Sequence, residues 1–384
     1  MYKETVKLLM TLIRCALHGN PLSEEEKAVY SADILPQLIS VAKKHDVLHL
    51  VCLAIKKNGL YTEYDLKSEI IKAIYRYENI NYEAEKLTAI LENKGIPFIL
   101  LKGAVIRSLY PEPWMRTSGD VDVLVKKEDL ETAIKYLTED DYYTEAERTP
   151  HDVALKCQSG ASVELHFDLV EEGRANNAKN ILSKVWENAK PVSKSSYNYI
   201  LTDEFFYFYH IAHMAKHFEN GGCGIRPFID LWLLDRMDGV SKEKRDELIK
   251  KGNLMVFAER ARKLSSIWFD NLEYDEVSER FENFIISGGV YGSAQNRVTL
   301  NQKQKGGKIG YVFSRVFIPF TKLKGYYPIL EKHRWLTPIM QIRRWFMLFK
   351  PDVAKLAKSE LLANKNVDSK VAEETDRLLK DIGL

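Results

Sequence analysis

The stretch Ile99–Val125, ILLKGAVIRSLYPEPWMRTSGDVDVLV, decides the fold. It opens on an apolar run, passes a glycine and closes on DVDVLV, which alternates with period two. Successive side chains of a strand point to opposite faces. Asp120 and Asp122 therefore project together, while Val121, Val123 and Val125 pack on the other side. Two carboxylates on one buried face repel each other and lose hydration. A cation is the general physical remedy, so this strand is a candidate cation site.

A later stretch, VELHFDL (Val163–Leu169), alternates in the same way. Val163, Leu165 and Phe167 share one face, and Glu164, His166 and Asp168 share the other. If the two strands are neighbours, Glu164 completes a triad with Asp120 and Asp122. Three carboxylates suit a hard divalent cation, and magnesium is favoured because it takes oxygen ligands and keeps waters and substrate phosphates. Upstream, LLKGAV reads as strand, glycine and helix start. A residue without Cβ lets a phosphate approach backbone amides, a helix N-terminus favours anions, and Lys102 adds a point charge.

This order of elements resembles the nucleotidyltransferase superfamily of the DNA polymerase β type. That pattern is an apolar residue, Gly, Gly/Ser, a spacer, D-x-D and a later carboxylate between apolar residues. The matching positions are Leu101–Lys102–Gly103–Ala104, Asp120–Val121–Asp122 and Val163–Glu164–Leu165. Ala104 stands where many members carry Ser or Gly, and the spacer before Asp120 is slightly long. More narrowly, the K-G…Y-P-x-P…R…G-D-h-D-h-L-V arrangement resembles an uncharacterised bacterial nucleotidyltransferase family. VELHFDL and the pair HIAHMAKHF…GIRPFIDLWLL are similar to that family too. The resemblance covers residues 96–170 and, more loosely, 205–235.

The resemblance implies a magnesium-dependent enzyme that moves a nucleoside monophosphate from a nucleoside triphosphate to a hydroxyl or phosphate acceptor. Two ions are implied, with manganese as a substitute. Asp120 and Asp122 would hold the ion that orients the triphosphate. Glu164, shared with a second ion, would help deprotonate the acceptor. Lys102, the Gly103 amide and Arg116 would neutralise phosphate charge. The acceptor, whether small molecule, peptide or protein, is not legible. Two alternatives stand beside this reading: a phosphotransferase variant acting on a peptide or small molecule, and a catalytically silent nucleotide-binding or antitoxin-like partner. The intact carboxylate triad favours the enzyme.

The chain has 384 residues, 45% hydrophobic and 29% charged, with a net charge of +2. That composition is soluble and globular, and the charge gives no global pull toward nucleic acid or anionic membrane, so any such contact needs a local patch. Four cysteines without a C-x-x-C spacing argue against a cysteine zinc site and for a reduced, cytoplasmic chain. The opening MYKETVKLLMTLIRCALHGN reads as an amphipathic helix rather than a signal peptide, and no apolar run is long enough to span a bilayer.

The expected class is α+β, a small mixed-sheet core embedded between helical regions. The expected division is a helical region (1–95), an α/β core (96–170), a helical domain completing the cleft (171–285), and a hinge loop with a basic, aromatic helical region (286–384). ILPQLISVAKKHDVLHLVCLAIKKNGL is expected as one helix ending near Gly59, and DLKSE…ENKG as a second, closed by Gly95. YYTEAER and DVALKCQ are expected as strands. From Ile181 onward the chain reads as helical, most strongly in SSYNYILTDEFFYFYHIAHMAKHF and IRPFIDLWLLDRM.

His210, His213 and His217 have the spacing of one helix face. No carboxylate or cysteine pattern beside them supports zinc, which leaves core or cleft-lining roles. His213, His217 and His166 are candidates for an acceptor pocket with Arg226 and Asp230, although Arg226 and Asp230 could equally pair structurally. The tail SRVFIPF…RRWFMLFK mixes Arg and Lys with Trp, Phe and Tyr. It reads either as a membrane-surface or nucleic-acid-binding segment or as a helical cap. The prolines at 319, 328 and 338 break any long amphipathic helix and favour the cap, with weak membrane contact over 309–350 as the alternative.

Overall fold

The computed structural model describes residues 2–169, 176–290, 292, 296–300, 307–327, 329–346, 349, 353–355, 358, 361–362, 364 and 369–384. Five helices precede the sheet: α1 (Tyr2–His18), α2 (Glu24–Ala28), α3 (Leu35–Lys44), α4 (Leu48–Lys57) and α5 (Leu66–Asn93). The long α5 is as expected. The stretch expected as one helix ending near Gly59 is two, α3 and α4. Asp46 breaks it by adopting φ 54°. Its carboxylate accepts from Arg76, Thr117 and Arg226, so tertiary hydrogen bonds override an otherwise helical periodicity.

The sheet contains β1 (Phe98–Leu100), β2 (Asp120–Val125), β3 (Tyr143–Arg148), β4 (Asp152–Cys157), β5 (Ser162–His166), β6 (Ala189–Pro191) and β7 (Asn198–Leu201). Helices α6 (Gly103–Ile106), α7 (Leu130–Leu137) and α8 (Asn176–Leu182) lie between these strands in the chain. The spatial order is β3-β4-β5-β2-β1-β7-β6. β2 runs antiparallel to β1 and parallel to β5, while β1 runs parallel to β7. The sheet is therefore mixed, and the α+β class is as expected. β6 and β7 correct the expectation that everything after Ile181 is helical. Aromatic and branched residues in SYNYIL suit a strand as well as a helix. The open edge of β1 settles the matter by pairing Phe98 with Asn198 and Ile99 with Tyr199.

Strand alternation separates two environments. Val121, Val123, Val153, Leu155, Val163 and Leu165 form an apolar face packed with Leu87 and Leu91 of α5 and Ile134 and Leu137 of α7. Burying each such side chain contributes about 1.5–3 kcal/mol. The other face meets a second core through Ile99, Leu101 and Leu124. That core joins α1, α3 and α4 to α9 (Asp203–Glu219), α10 (Arg226–Leu234), α11 (Lys242–Lys251), α12 (Met255–Asp270) and α13 (Glu276–Ser287). Helices from before and after the sheet thus share one apolar interior.

Beyond α13, residues 296–300, Gly307–Val316, Phe320–Tyr326, Thr337–Phe346 and Ser369–Asp381 are helical. Pro328, parts of the expected hinge loop and parts of the basic tail lie outside the described residues. All four cysteines are free and buried. Among the described residues, no helix is long and apolar enough to cross a membrane.

Candidate active site

The β2–β5 register places Asp122 opposite Glu164, Asp120 opposite Ser162 and Leu124 opposite His166. β4 then places Asp152 opposite His166. The two strands are neighbours, as the triad requires, and period-two alternation directs Asp120, Asp122, Glu164, His166 and Asp152 to one face. His166 Nε2 lies 2.9 Å from Asp122 Oδ1 and 3.5 Å from Glu164 Oε2. Donor atoms of Asp122, Glu164 and His166 lie within 4.8 Å of one another, a group that could hold a metal ion. Asp120 lies one register step away and lines the same cleft.

Charge is unevenly distributed in this cluster. Burial raises the Asp122 carboxyl, but Lys102 and His166 more than offset it and hold the group well below the usual carboxylate range. Lys102 Nζ donates to Asp122 Oδ1 at 2.9 Å. Burial alone would lower the Lys102 ammonium; Asp122 raises it above its ordinary value. Burial likewise opposes protonation of His166, and hydrogen bonds to Asp122 and Glu164 push its pKa up. Asp120 has no comparable relief. Burial first, then Asp122 and Glu164, raise it to about 6.

The turn from β1 into α6 brings the ammonium to this place. Lys102 adopts φ 42° and ψ −115°, a sparsely populated conformation for a residue with a side chain. Such strain costs about 1–3 kcal/mol and persists only where the surroundings enforce it. Gly103 follows because of close contact: an added Cβ would lie 2.3 Å from Ser118 Oγ. Ser118 Oγ is itself buried, has no hydrogen-bond partner among the described residues and lines the cleft. Ser118 was not among the sequence candidates; its only signal is that it immediately precedes Gly119–Asp120.

The loop carrying Ser118 is clamped by two guanidinium groups. Arg116 Nε donates to both Asp230 oxygens, at 2.8 and 3.0 Å, and its Nη1 donates to the Thr117 carbonyl at 2.6 Å. The Tyr110 hydroxyl adds a third bond to Asp230 at 2.7 Å. Arg226 Nη1 donates to the same Thr117 carbonyl at 2.7 Å and to Asp46 at 2.9 Å. Asp230 and Arg226 are therefore ion-paired with Arg116 and Asp46 respectively, not with each other.

The histidine face on α9 is also in the cleft. His213 and His217 Nε2 atoms lie 2.8 Å apart, and His210 bonds the Pro227 carbonyl at 2.9 Å. Burial, then Lys102, keeps His213 well below the ordinary histidine pKa; burial, then Lys216, lowers His217 to about 3. Both rings are neutral at pH 7, so one donates and the other accepts. Burial lowers Lys216 to about 8, with Lys102 contributing. Lys216, His151 and Asp152 join Ser118 as lining residues that sequence reasoning missed.

Every candidate named from the sequence, from Lys102 and Gly103 to Arg226 and Asp230, lines one cleft of about 300 Å³. That volume suits a small-molecule ligand. The model of a family described as uncharacterised nucleotidyltransferase matches residues 34–270. The match begins just before α3 and ends with α12, so it takes in the whole sheet and the helices that wall the cleft. It covers more than half of the chain, and the chain belongs to this family. No curated protein and no solved structure matches it.

Proposed function

We propose that this member of the uncharacterised nucleotidyltransferase family transfers a nucleoside monophosphate from a nucleoside triphosphate to a hydroxyl or phosphate acceptor, releasing pyrophosphate. The observation that carries the reading is the same-face cluster of Asp120, Asp122 and Glu164 in one cleft beside Lys102 and Gly103. In this reading the chain is a bacterial, cytoplasmic relative of the polymerase β-type enzymes. Residues 96–170 supply the reacting core and 171–285 its helical wall.

The donor set fits a hard divalent cation. Three carboxylates supply oxygen ligands, and Asp120 is buried beside Asp122 and Glu164, whose repulsion Lys102 and Arg226 offset only in part. Asp120 and Asp122 would hold one magnesium or manganese ion, and Glu164 would share a second. Bound there, the ions would supply Lewis-acid stabilisation of the attacking and leaving oxygens. The acceptor oxygen forms a bond to the α-phosphorus as the bond to the β-phosphate oxygen breaks. Glu164 takes the acceptor proton, and pyrophosphate carries away the electron pair of the broken bond.

Lys102 links the two halves of this proposal. With Asp122 holding a cation, the Lys102 ammonium would be free to turn to the triphosphate beside the Gly103 amide. Arg116 adds positive charge from the cleft wall while it orders the loop through Asp230. His166, hydrogen-bonded to Asp122 and near Glu164, orients both carboxylates. His213, His217, Arg226 and Asp230 border the side where an acceptor would enter.

One observation favours a second reading, a silent nucleotide binder: the Lys102 ammonium already occupies the Asp122 carboxylate. Magnesium-dependent pyrophosphate release separates the two. Release by the native protein that is lost in Glu164→Gln supports the enzyme. Nucleotide binding without release across a broad acceptor panel supports the silent binder.

A further inference from the structure

In the basic, aromatic region beyond α13, hydrogen bonds tie two short helices together, while Lys308, Arg315, Lys322, Lys332, Arg334 and Arg343 are exposed. Gln341 is buried and its Nε2 donates to the Ile318 carbonyl. Arg344 Nη2 donates to the Arg315 carbonyl at 2.7 Å, and Trp345 Nε1 donates to the Val316 carbonyl at 2.8 Å. These bonds bring the C-terminal ends of the helices Gly307–Val316 and Thr337–Phe346 together. Phe313 and Phe317 rings lie 4.8 Å apart, and Phe317 and Trp345 rings 5.4 Å apart.

A set of apolar side chains on these two helices faces outward. Ile309 is 85% exposed, and Phe313 and Phe346 are each 64% exposed. Ile309 and Phe313 are four residues apart on one helix; Ile339, Ile342 and Phe346 are spaced three and four apart on the other, and all of them are exposed. Pro319 and Pro338 stand at the starts of short helices, as the sequence indicated. Tyr311, Leu323 and Leu330 turn inward, but the residues named above do not. An exposed apolar surface of this kind marks an interaction site.

Charge and shape select the occupant. Residues 307–346 carry eight Lys and Arg residues against one acidic residue, Glu331. A second copy of the chain would bring this positive surface against itself in a two-fold interface. Nucleic acid would use the aromatic rings for stacking but would leave Ile309, Ile339 and Ile342 without a role. A bilayer with anionic headgroups satisfies both features, taking the apolar side chains into the acyl boundary and the basic ones at the headgroups.

We propose that the helices Gly307–Val316 and Thr337–Phe346 form a docking surface for anionic phospholipid membranes. The surface lies outside the segment that matches the family and does not depend on the reaction at the cleft. Its consequence is that the chain works at a membrane surface without spanning the membrane.

The test uses the full chain and sedimentation with vesicles of phosphatidylcholine alone or with added phosphatidylglycerol. Partitioning onto the anionic vesicles is expected to exceed that onto neutral ones by about tenfold or more and to fall with salt. The double variant Ile309→Asp with Phe346→Asp changes two exposed positions, so its circular dichroism and melting temperature should match the native chain while anionic partitioning falls at least about tenfold. Protein left in the supernatant, equal partitioning onto both vesicle types, or undiminished partitioning of the double variant overturns the proposal. RNA binding or self-association lost in the variant, without vesicle binding, overturns it in favour of those occupants.

Discussion

Lys102 Nζ and His166 Nε2 converge on one oxygen, Asp122 Oδ1, each at 2.9 Å. The carboxylate best placed to bind a cation is thus already paired with the Lys102 ammonium and hydrogen-bonded to His166. Removing Lys102 should expose that dependence. Lys102→Met is expected to lose about 1–3 kcal/mol of stability in chelator, less than a fully buried pair because the lysine is partly exposed. Magnesium should then raise the melting temperature of the variant more than that of the native chain. Equal magnesium shifts in the two proteins would remove the competition between ammonium and metal.

Asp120 supplies a pH signature. Its folded pKa is raised to about 6 against an ordinary value of 3.8. A raised folded pKa contributes stability below the unfolded pKa, and that contribution is lost as pH rises through the folded value. Chelated native protein should therefore lose stability relative to Asp120→Asn between about pH 4 and pH 6, by at most about 3 kcal/mol. Denaturant titrations across that window check this; a constant difference between the proteins would contradict it.

Gly103 and Ser118 should be thermodynamically coupled. Gly103→Ala places a methyl 2.3 Å from Ser118 Oγ but 3.5 Å from Ser118 Cβ. The single variant should lose about 1–3 kcal/mol to overpacking. Adding Ser118→Ala removes the offending oxygen and should recover most of that loss, a coupling read from a double-mutant cycle. Additive effects would show that the glycine is not required by this contact.

Asp46 ties the α3–α4 break to the cleft. It accepts from Arg76 at 2.6 and 2.7 Å, from Thr117 Oγ1 at 3.0 Å and from Arg226 at 2.9 Å. Asp46→Ala removes the carboxylate partner of Arg76 and Arg226 and should cost about 1–3 kcal/mol, less than a buried pair because Asp46 and Arg76 are partly exposed. Nucleotide affinity should weaken with it, because the loop leading to Asp120 loses a clamp. Calorimetric affinity unchanged at a temperature where the variant is folded would confine Asp46 to stability alone.

The cleft was legible because its geometry follows from period-two alternation. DVDVLV and VELHFDL each place their acidic residues on one face, and only the adjacency of β2 and β5 was left to be found. The clamps were not legible. Asp46 and Arg116 lie far in sequence from Arg226 and Asp230, and the i, i+4 spacing of Arg226 and Asp230 suggests a pair that the fold does not make: Asp230 belongs to Arg116 and Arg226 to Asp46. Ser118 gave no signal because its significance is the Gly103 contact across the turn. β7 was misread for a related reason. Its aromatic residues favour strand and helix alike, and the edge of β1, a hundred residues earlier in the chain, chooses between them.

The reaction proposed at the Asp120–Asp122–Glu164 face is nucleotidyl rather than phosphoryl transfer. The direct measurement is to incubate the native chain and Glu164→Gln with magnesium and nucleoside triphosphates labelled at either the α- or the γ-phosphorus, with fractionated cell extract as the acceptor source. The account predicts that α-label enters a product in step with pyrophosphate release, and that Glu164→Gln slows this by about a hundredfold or more while keeping most of its nucleotide affinity. Transfer of γ-label, or α-label transfer undiminished in Glu164→Gln, would contradict it.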